Sequence, residues 1–261
     1  MKPSSDPSSS NPIGRIEVLW DGGTSIVVDK PAGIPTQAPA GMDSVELRIR
    51  KQVENRTTYV ACVHRLDCPV GGVLLVALQK RAARLLGTQF ETRKIKKEYV
   101  AVVKGRVQNP NDRWIDHLAK LEDTAKATIT SEGSSNAKLA TTDTELIRYD
   151  PTMDASWLRL HPVTGRMHQL RVQAAHRGHP ILGDSLYGNA DNWTSQQNLF
   201  LETLRRQIEQ EVNLTSDPIQ NMNQTKEPVK TQVIALRADN LEFFDPKNAK
   251  RISVKSMCQL F

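Results

Sequence analysis

The stretch ACVHRLDCPVGGVLLVAL at residues 61–78 is the most informative part of the sequence for the fold. Its second half, GVLLVAL at 72–78, is a continuous apolar run, which is typical of a strand buried in a sheet. The polar cluster His64-Arg65-Leu66-Asp67 precedes that run and leads into a turn of proline and glycine. Two interpretations stay open from this pattern alone. Either Asp67 caps a turn beside surface groups, or the cluster carries chemistry.

Strand and helix patterns surround this stretch. Upstream, IEVLW and TSIVVDK flank an Asp-Gly-Gly turn at 21–23, which predicts a β-hairpin. Asp43 or Ser44 is expected to cap a helix that extends to about Val53. Downstream, apolar residues recur at helical spacing over 80–91 and alternate over 96–106, which predicts a helix followed by a strand.

The second half of the chain contains further β-type segments. Residues 107–155 are polar with short strand-like pieces, and we predict only that they are rich in β-structure. Residues 157–166 predict a strand entering a Thr-Gly turn, and residues 166–180 predict a helix that ends near Gly178 and Pro180. Strand-like TQVIALRA and LEFF follow near the C-terminus.

Two segments differ in composition from the rest. Residues 1–14 are rich in serine and proline, and we expect a disordered tail there. Residues from about 190 to 230 are rich in glutamine and asparagine around one predicted helix at about 195–212, which indicates an insertion. Residues 15–261 are therefore expected to form one domain that carries an insertion.

Composition limits the class of protein. The chain has 35 Lys and Arg against 29 Asp and Glu, a net charge of +6, which suits a polyanionic partner without proving one. Three cysteines without a CxxC pair argue against a disulfide framework. The sequence contains no apolar run of about 20 residues and no signal core, so we expect a cytoplasmic protein without membrane contact. It also lacks a glycine-rich phosphate loop, which argues against a nucleotide cofactor.

Four segments in order resemble the motifs of RluA-type RNA pseudouridine synthases. They are VVDKPAGIPT (27–36), HRLD (64–67), KKEYVAVVKG (96–105) and LHPVTGRMHQLRVQAAHRGHPILGDSLYG (160–188). The resemblance spans roughly Ile16 to Tyr187 and resumes weakly at 233–246. It implies an α+β fold, with a central mixed, largely antiparallel sheet flanked by helices and loops, and a cleft that binds RNA.

The resemblance also assigns three catalytic residues. Asp67 matches the family's catalytic aspartate, whose carboxylate can serve as a nucleophile. Arg171 matches the arginine that pairs with this aspartate. Tyr99 matches the tyrosine that stacks beside the target uracil or assists proton transfer, and the sequence does not choose between these roles. The reaction is an isomerisation that needs no cofactor and no metal.

Further residues are expected to contact RNA. Arg65 either inserts where the target base leaves its stack or contacts a phosphate. His64, Lys97, Arg166 and His168 are expected to line the cleft, and His168 is expected to share a helix face with Arg171, three residues later. His168, His176 and His179 lie close in sequence, but we predict no metal site there.

Two positions depart from the family's usual pattern. Gly71 stands where a serine is usual, and Met167 stands where a threonine is usual.

Three other functions compete with a synthase: a catalytically silent RNA-binding protein on the same fold, a phosphotransferase, and a structural β protein of the ribosome. A phosphotransferase is disfavoured, because the chain lacks the glycine-rich loop and the metal-binding motif of that class. We expect a monomer that isomerises uridine in structured rRNA or tRNA and does not act on DNA.

Overall fold

The computed structural model describes residues 14–122, 124–189, 192–214, 233–258 and 260. Within these residues the chain forms eleven strands and four helices. The strands are β1 (Glu17–Asp21), β2 (Ser25–Lys30), β3 (Ala61–Cys62), β4 (Gly71–Ala77), β5 (Lys96–Lys104), β6 (Asn111–Lys120), β7 (Ala127–Thr130), β8 (Lys138–Asp150), β9 (Ala155–Pro162), β10 (Leu236–Phe244) and β11 (Arg251–Lys255). The helices are α1 (Val45–Gln52), α2 (Lys80–Glu91), α3 (Gln169–His176) and α4 (Ser195–Leu214).

All the strands of the described residues belong to one mixed sheet. Its order is β1-β2-β4-β10-β5-β9-β8-β6-β7, with β3 added beside β4 and β11 beside β10. Among these strands only β4 and β10 run parallel; the other pairs are antiparallel. The predicted α+β class and the largely antiparallel sheet are therefore confirmed.

Strand β4 lies at the centre of the core. All seven of its residues are buried, which explains the continuous apolar run in the sequence. Gly72 on this strand has φ +114°, and a Cβ there would lie 2.0 Å from the carbonyl oxygen of Ala238. Only glycine allows β4 and β10 to approach so closely at this point.

Most of the elements predicted from sequence are present. The hairpin β1–β2, the buried strand β4 and helix α2 lie where the patterns indicated, and Ser44 caps α1 by accepting a hydrogen bond from the Leu47 N–H at 3.2 Å. The 107–155 region forms β6, β7 and β8, and α4 contains the helix predicted in the insertion. The short strand β3 was missed, as was β11. The two predicted C-terminal strand pieces form one strand, β10, with an irregularity between Ala238 and Asn240.

The helix predicted from residue 166 begins only at Gln169. The Gln169 side chain accepts hydrogen bonds from the Thr164 hydroxyl and the Arg166 N–H, which closes a turn before the helix. His168 then adopts a left-handed conformation with φ 52° and ψ 23°. His168 therefore caps α3, and the expectation that it shares a helix face with Arg171 is wrong.

The expected tail at 1–14 lies outside the described residues except for Gly14, and so do residues 190, 191 and 215–230 of the expected insertion. Helices in the described part of the chain are too short or too polar to cross a membrane.

Candidate active site

Asp67 lies in the loop between β3 and β4, and the segment after β2 holds this loop in place. The Thr36 hydroxyl accepts a hydrogen bond from the Leu66 N–H at 3.1 Å and donates one to the Leu66 carbonyl at 2.9 Å. The Gly33 N–H donates to the Cys68 carbonyl at 2.8 Å. The backbone on both sides of Asp67 is thus fixed by the segment that contains the first motif.

Lys30, the last residue of β2, supports the same loop from inside the core. Its side chain is fully buried, and its Nζ donates to the carbonyl oxygens of Pro31, Cys68 and Val70 at 2.9, 3.1 and 2.8 Å. Burial lowers the pKa of Lys30 to about 7, although the negative charge of Asp67 acts against this shift. Lys30 therefore ties the loop to the core.

Arg171 connects Asp67 to a second, buried carboxylate. Its Nη1 lies 3.4 Å from Oδ2 of Asp67, while its Nε and Nη2 donate to Asp184 at 2.7 and 2.8 Å. Arg171 and Asp184 are almost fully buried, whereas the Asp67 side chain is 31% exposed. The guanidinium is therefore anchored in the core and presents one nitrogen to the exposed carboxylate.

His168 is the other group that faces Asp67. Its Nε2 lies 3.7 Å from Oδ2 of Asp67, and its Nδ1 lies 2.8 Å from the Tyr187 hydroxyl. Tyr187 in turn accepts a hydrogen bond from the Ala127 N–H at 2.8 Å. Arg171 and His168, predicted from the same motif, thus meet at one carboxylate.

Tyr99 lies on β5, between β9 and β10, and lines the cleft together with Asp67. Burial raises the pKa of Tyr99, and the negative charge of Asp67 raises it further. A phenol with a raised pKa stays protonated at neutral pH, so little phenolate is present to act as a base. Tyr99 therefore presents a protonated phenol to the cleft.

Two of the predicted RNA-contacting residues are built into the wall of the cleft. His64 Nε2 accepts a hydrogen bond from the Leu75 N–H at 3.0 Å, and its ring packs against Phe90. Burial, and secondarily the charge of Lys97, lowers the pKa of His64 to about 3. Lys97 donates to the Thr164 carbonyl at 3.1 Å, and burial lowers its pKa to about 8. His64 is therefore a neutral group that holds β4, while Lys97 is a cation next to the cleft.

These residues surround a cleft of about 860 Å³. Arg65 and Arg166 are exposed and lie at its edge. A neighbouring cavity of about 410 Å³ also reaches Asp67 and Arg171. The cleft is mainly basic, because its charged lining consists of Arg65, Arg93, Lys97, Arg166 and Arg171 against Asp67 and Glu91. Its charge and size suit a nucleotide within a polyanion.

All eight residues predicted for the site line this cleft. Four further residues around Asp67 were not predicted from the sequence: Asp184, Tyr187, Lys30 and Thr36. A signal existed for each, since all four lie within the quoted motif segments 27–36 and 160–188, but nothing in the pattern connected them to Asp67. Within the described ranges, three or more His, Cys, Asp or Glu side chains do not gather anywhere in a way that could hold a metal ion.

Comparison with known proteins identifies the family. The model of the RNA pseudouridylate synthase family matches residues 24–176, more than half of the chain. The chain belongs to the RNA pseudouridine synthase family. It is an enzyme that isomerises uridine in RNA, and three of the four segments on which the resemblance rested (64–67, 96–105 and 160–188) contribute residues to its cleft.

Relatives within the family agree with this assignment. The chain is 37% identical over 177 residues to the dual-specificity RNA pseudouridine synthase RluA of Yersinia pestis, an alignment that covers 67% of this chain and 82% of the relative. It is 35% identical over 185 residues to the tRNA pseudouridine synthase C of Pasteurella multocida, covering 67% and 75% of the two chains.

Solved structures confirm the fold. The enzyme superimposes on human RNA pseudouridylate synthase domain containing 1 with a TM-score of 0.65 and 22% identity, covering 99% of this chain and 86% of that one. Human RNA pseudouridylate synthase domain containing 4 gives a TM-score of 0.66 with 20% identity, covering 94% and 88%. The pseudouridine synthase fold predicted from the motifs is thereby confirmed.

Proposed function

We propose that this enzyme converts uridine to pseudouridine in structured ribosomal or transfer RNA, with Asp67 as the carboxylate that attacks the flipped-out nucleotide. The names of the relatives support this class of RNA, since they include a dual-specificity RNA synthase, a large-subunit rRNA synthase and a tRNA synthase. The observation that carries the role of Asp67 is its contact with the anchored guanidinium of Arg171, 3.4 Å away, inside a basic cleft.

The chemistry requires few groups. The bond between N1 of uracil and C1′ of ribose breaks, the base turns, and a bond between C5 and C1′ forms. C5 loses a proton and N1 gains one, so that oxidation state and charge are unchanged overall. A carboxylate that attacks the sugar and a group that moves the C5 proton are sufficient. Asp67 supplies the first, and its contact with the anchored guanidinium of Arg171 orients the carboxylate in the cleft.

The target base must leave its stack to reach Asp67, which costs a few kcal/mol. Arg65 is exposed next to Asp67, which suits insertion into the space that the base leaves. Tyr99 offers a ring on which the flipped uracil stacks, while Lys97 and Arg166 bind the backbone phosphates. His64 keeps the cleft wall in place.

The same proposal includes the organisation of the protein. Residues 15–261 act as one catalytic domain with an insertion, as a monomer in the cytoplasm, and on RNA rather than DNA. The bacterial RNA-modifying relatives support the cytoplasmic location.

The test uses total RNA from cells that lack the gene. Purified wild type, Asp67→Asn and the matched control Asp143→Asn are incubated with this RNA without any cofactor. New pseudouridines are then mapped by carbodiimide adducts that stop reverse transcription. Asp143 lies on β8 in an exposed contact with Arg113, away from the cleft. We expect one or a few discrete sites with wild type and Asp143→Asn, and none with Asp67→Asn.

The result also separates the synthase from a silent RNA-binding protein. If wild type binds the RNA with salt-dependent affinity but forms no pseudouridine, the catalytic proposal is rejected. The departures at Gly71 and Met167 would then be examined first. If Asp67→Asn stays active, the enzyme class stands and the role of Asp67 is wrong.

A further inference from the structure

His168 and Tyr187 form a hydrogen-bonded pair next to Asp67. The two ring nitrogens of His168 face different partners, since Nδ1 lies 2.8 Å from the Tyr187 hydroxyl and Nε2 lies 3.7 Å from Oδ2 of Asp67. The rings of His168 and Tyr187 meet edge to face, with centroids 5.6 Å apart and an angle of 81°. The tyrosine therefore engages one nitrogen and leaves the other facing the carboxylate.

Tyr187 determines which nitrogen of His168 carries a proton. Its hydroxyl oxygen already accepts a hydrogen bond from the Ala127 N–H, at the start of β7. Nδ1 of His168 lies within reach of the hydroxyl proton, at 2.8 Å. A partly buried hydroxyl that does not use its proton loses a hydrogen bond. An arrangement in which Tyr187 donates to an unprotonated Nδ1 uses both the donor and the acceptor capacity of the hydroxyl.

A neutral imidazole whose Nδ1 accepts a hydrogen bond carries its proton on Nε2. Burial lowers the pKa of His168, although the charge of Asp67 acts against this shift, and the neutral form is thus favoured at neutral pH. The Nε2–H group then faces the same oxygen, Oδ2 of Asp67, that Nη1 of Arg171 approaches at 3.4 Å. Two donors converge on one carboxylate oxygen.

We propose that His168 is a positioning residue whose Nε2–H, in a tautomer set by Tyr187, fixes the rotation of the Asp67 carboxylate for attack on the nucleotide. This role rests on the proposed function of Asp67 and goes beyond the RNA contact that the sequence predicted for His168. The distance of 3.7 Å is longer than a hydrogen bond, so this role requires the contact to shorten when RNA fills the cleft. Catalytic hydrogen bonds are often longer before the substrate binds.

The proposal has a pH signature. A second proton on His168 would occupy Nδ1, where it would face the Tyr187 O–H, and would add a positive charge beside Asp67. The titratable or charged groups around the ring are Asp67, Arg171, Asp184 and Tyr187, and Arg65 and Lys126 line the adjacent cavity. We therefore expect kcat to fall on the acid side as His168 becomes protonated.

The variants follow from the backbone of His168. His168→Gly removes the ring and keeps the left-handed conformation without strain. His168→Gln restores an amide N–H near the former Nε2–H but does not titrate. Tyr187→Phe removes the hydroxyl and frees Nδ1 to bind a proton. Tyr149→Phe is the matched control. Tyr149 lies near the end of β8, donates a hydrogen bond from its hydroxyl to Asp154, and lies outside the cleft lining.

Initial rates are measured under steady-state conditions on an RNA substrate identified with wild type, from pH 5 to pH 9. His168→Gly should lower kcat about 10- to 100-fold with little change in KM, the effect expected for one hydrogen bond to a charged group. His168→Gln should recover most of kcat and lose the acid limb. Tyr187→Phe should move the acid limb to higher pH, and Tyr149→Phe should match wild type.

Three outcomes would overturn the proposal while Asp67 keeps its role. They are an unchanged kcat in His168→Gly, a rise in KM alone, and an acid limb that Tyr187→Phe does not move. If Asp67→Asn remains active, the proposed function itself fails. If thermal unfolding shows that His168→Gly does not fold, the pH profile of Tyr187→Phe decides alone, because that variant retains the histidine.

Discussion

Arg171 binds Asp184 more closely than it binds Asp67: it donates to Asp184 from two nitrogens at 2.7 and 2.8 Å and approaches Asp67 with the third at 3.4 Å. Asp184 also accepts hydrogen bonds from the Leu186 and Tyr187 N–H groups. The buried carboxylate thus fixes the guanidinium, and the guanidinium is then available to the exposed carboxylate. The contact of Arg171 with Asp67 was predicted from the sequence, and its contact with Asp184 was not.

This arrangement predicts that Asp184→Asn damages both stability and catalysis. Removing one partner of a buried ion pair leaves Arg171 without a matching charge and costs about 3–5 kcal/mol of unfolding free energy. We also expect kcat to fall, because the guanidinium is no longer held toward Asp67. Urea unfolding and single-turnover rates measure the two effects. Asp143→Asn, in an exposed pair, is the control and should change neither; an equal loss in both variants would contradict the argument.

Lys97 predicts a pH dependence of RNA binding. Its pKa is lowered to about 8 by burial, so it loses its positive charge as pH rises through 8, and one phosphate contact weakens. Between pH 7 and pH 9, at constant ionic strength, the affinity of wild type for unmodified tRNA should fall roughly fivefold, as expected for a loss of about 1 kcal/mol. Lys97→Arg should bind equally at both pH values. If wild type and Lys97→Arg change together, another group is responsible.

Tyr99 predicts a difference between two variants. The raised pKa keeps its hydroxyl protonated at neutral pH, whereas its ring is available for stacking whatever the hydroxyl does. Tyr99→Phe retains the ring and Tyr99→Leu does not. We expect KM to rise about 5- to 150-fold more in Tyr99→Leu than in Tyr99→Phe, since stacking on one base contributes about 1–3 kcal/mol. Equal KM values in the two variants would show that the ring does not stack on the base.

The packing around Gly71 explains why glycine stands at this position, where the family usually has serine. A Cβ at this position would lie 3.0 Å from Nη1 of Arg237 and 3.1 Å from the Lys30 carbonyl oxygen. Arg237 is itself held in a buried pair with Asp29 at 2.7 Å. The arginine therefore fills the space that a serine side chain would need.

Gly71→Ser should consequently destabilise the protein by about 1–3 kcal/mol through overpacking. Gly87→Ala is the matched control, because Gly87 lies within α2 and an added Cβ there would meet open space. That control should gain about 0.5–1 kcal/mol from helix propensity. Thermal or urea unfolding distinguishes the two, and a stabilising Gly71→Ser would show that Arg237 moves aside.

The elements that the sequence predicted correctly are those that local patterns determine. The apolar run of β4 and the helical spacing of α2 depend only on neighbours in the chain, and both elements were placed correctly. The left-handed conformation of His168 depends on the turn before α3, which the side chain of Gln169 closes, and a helical pattern does not encode it. The partner of Arg171 depends on which carboxylate is buried beside it, a property of the assembled sheet.

Lys30 provides a further prediction, in which stability depends on pH. Its pKa is about 7 in the folded protein against 10.5 when unfolded, so between these values the unfolded chain binds more protons. Unfolding free energy should therefore rise with pH across this window, by at most about 1.4 kcal/mol per pH unit. Below pH 7 both states are protonated, and the contribution of Lys30 stays constant at its least favourable value.

Lys30→Met removes this titration together with the donor to the carbonyls of Cys68 and Val70. The unfolding free energy of wild type minus that of Lys30→Met should increase from pH 7 to pH 9.5. Urea titrations at several pH values measure this difference. The variant should also lose activity, because the backbone beside Asp67 is held less firmly. A difference that stays flat across this range would mean that Lys30 keeps its proton, in which case its three carbonyl contacts stabilise the charged form.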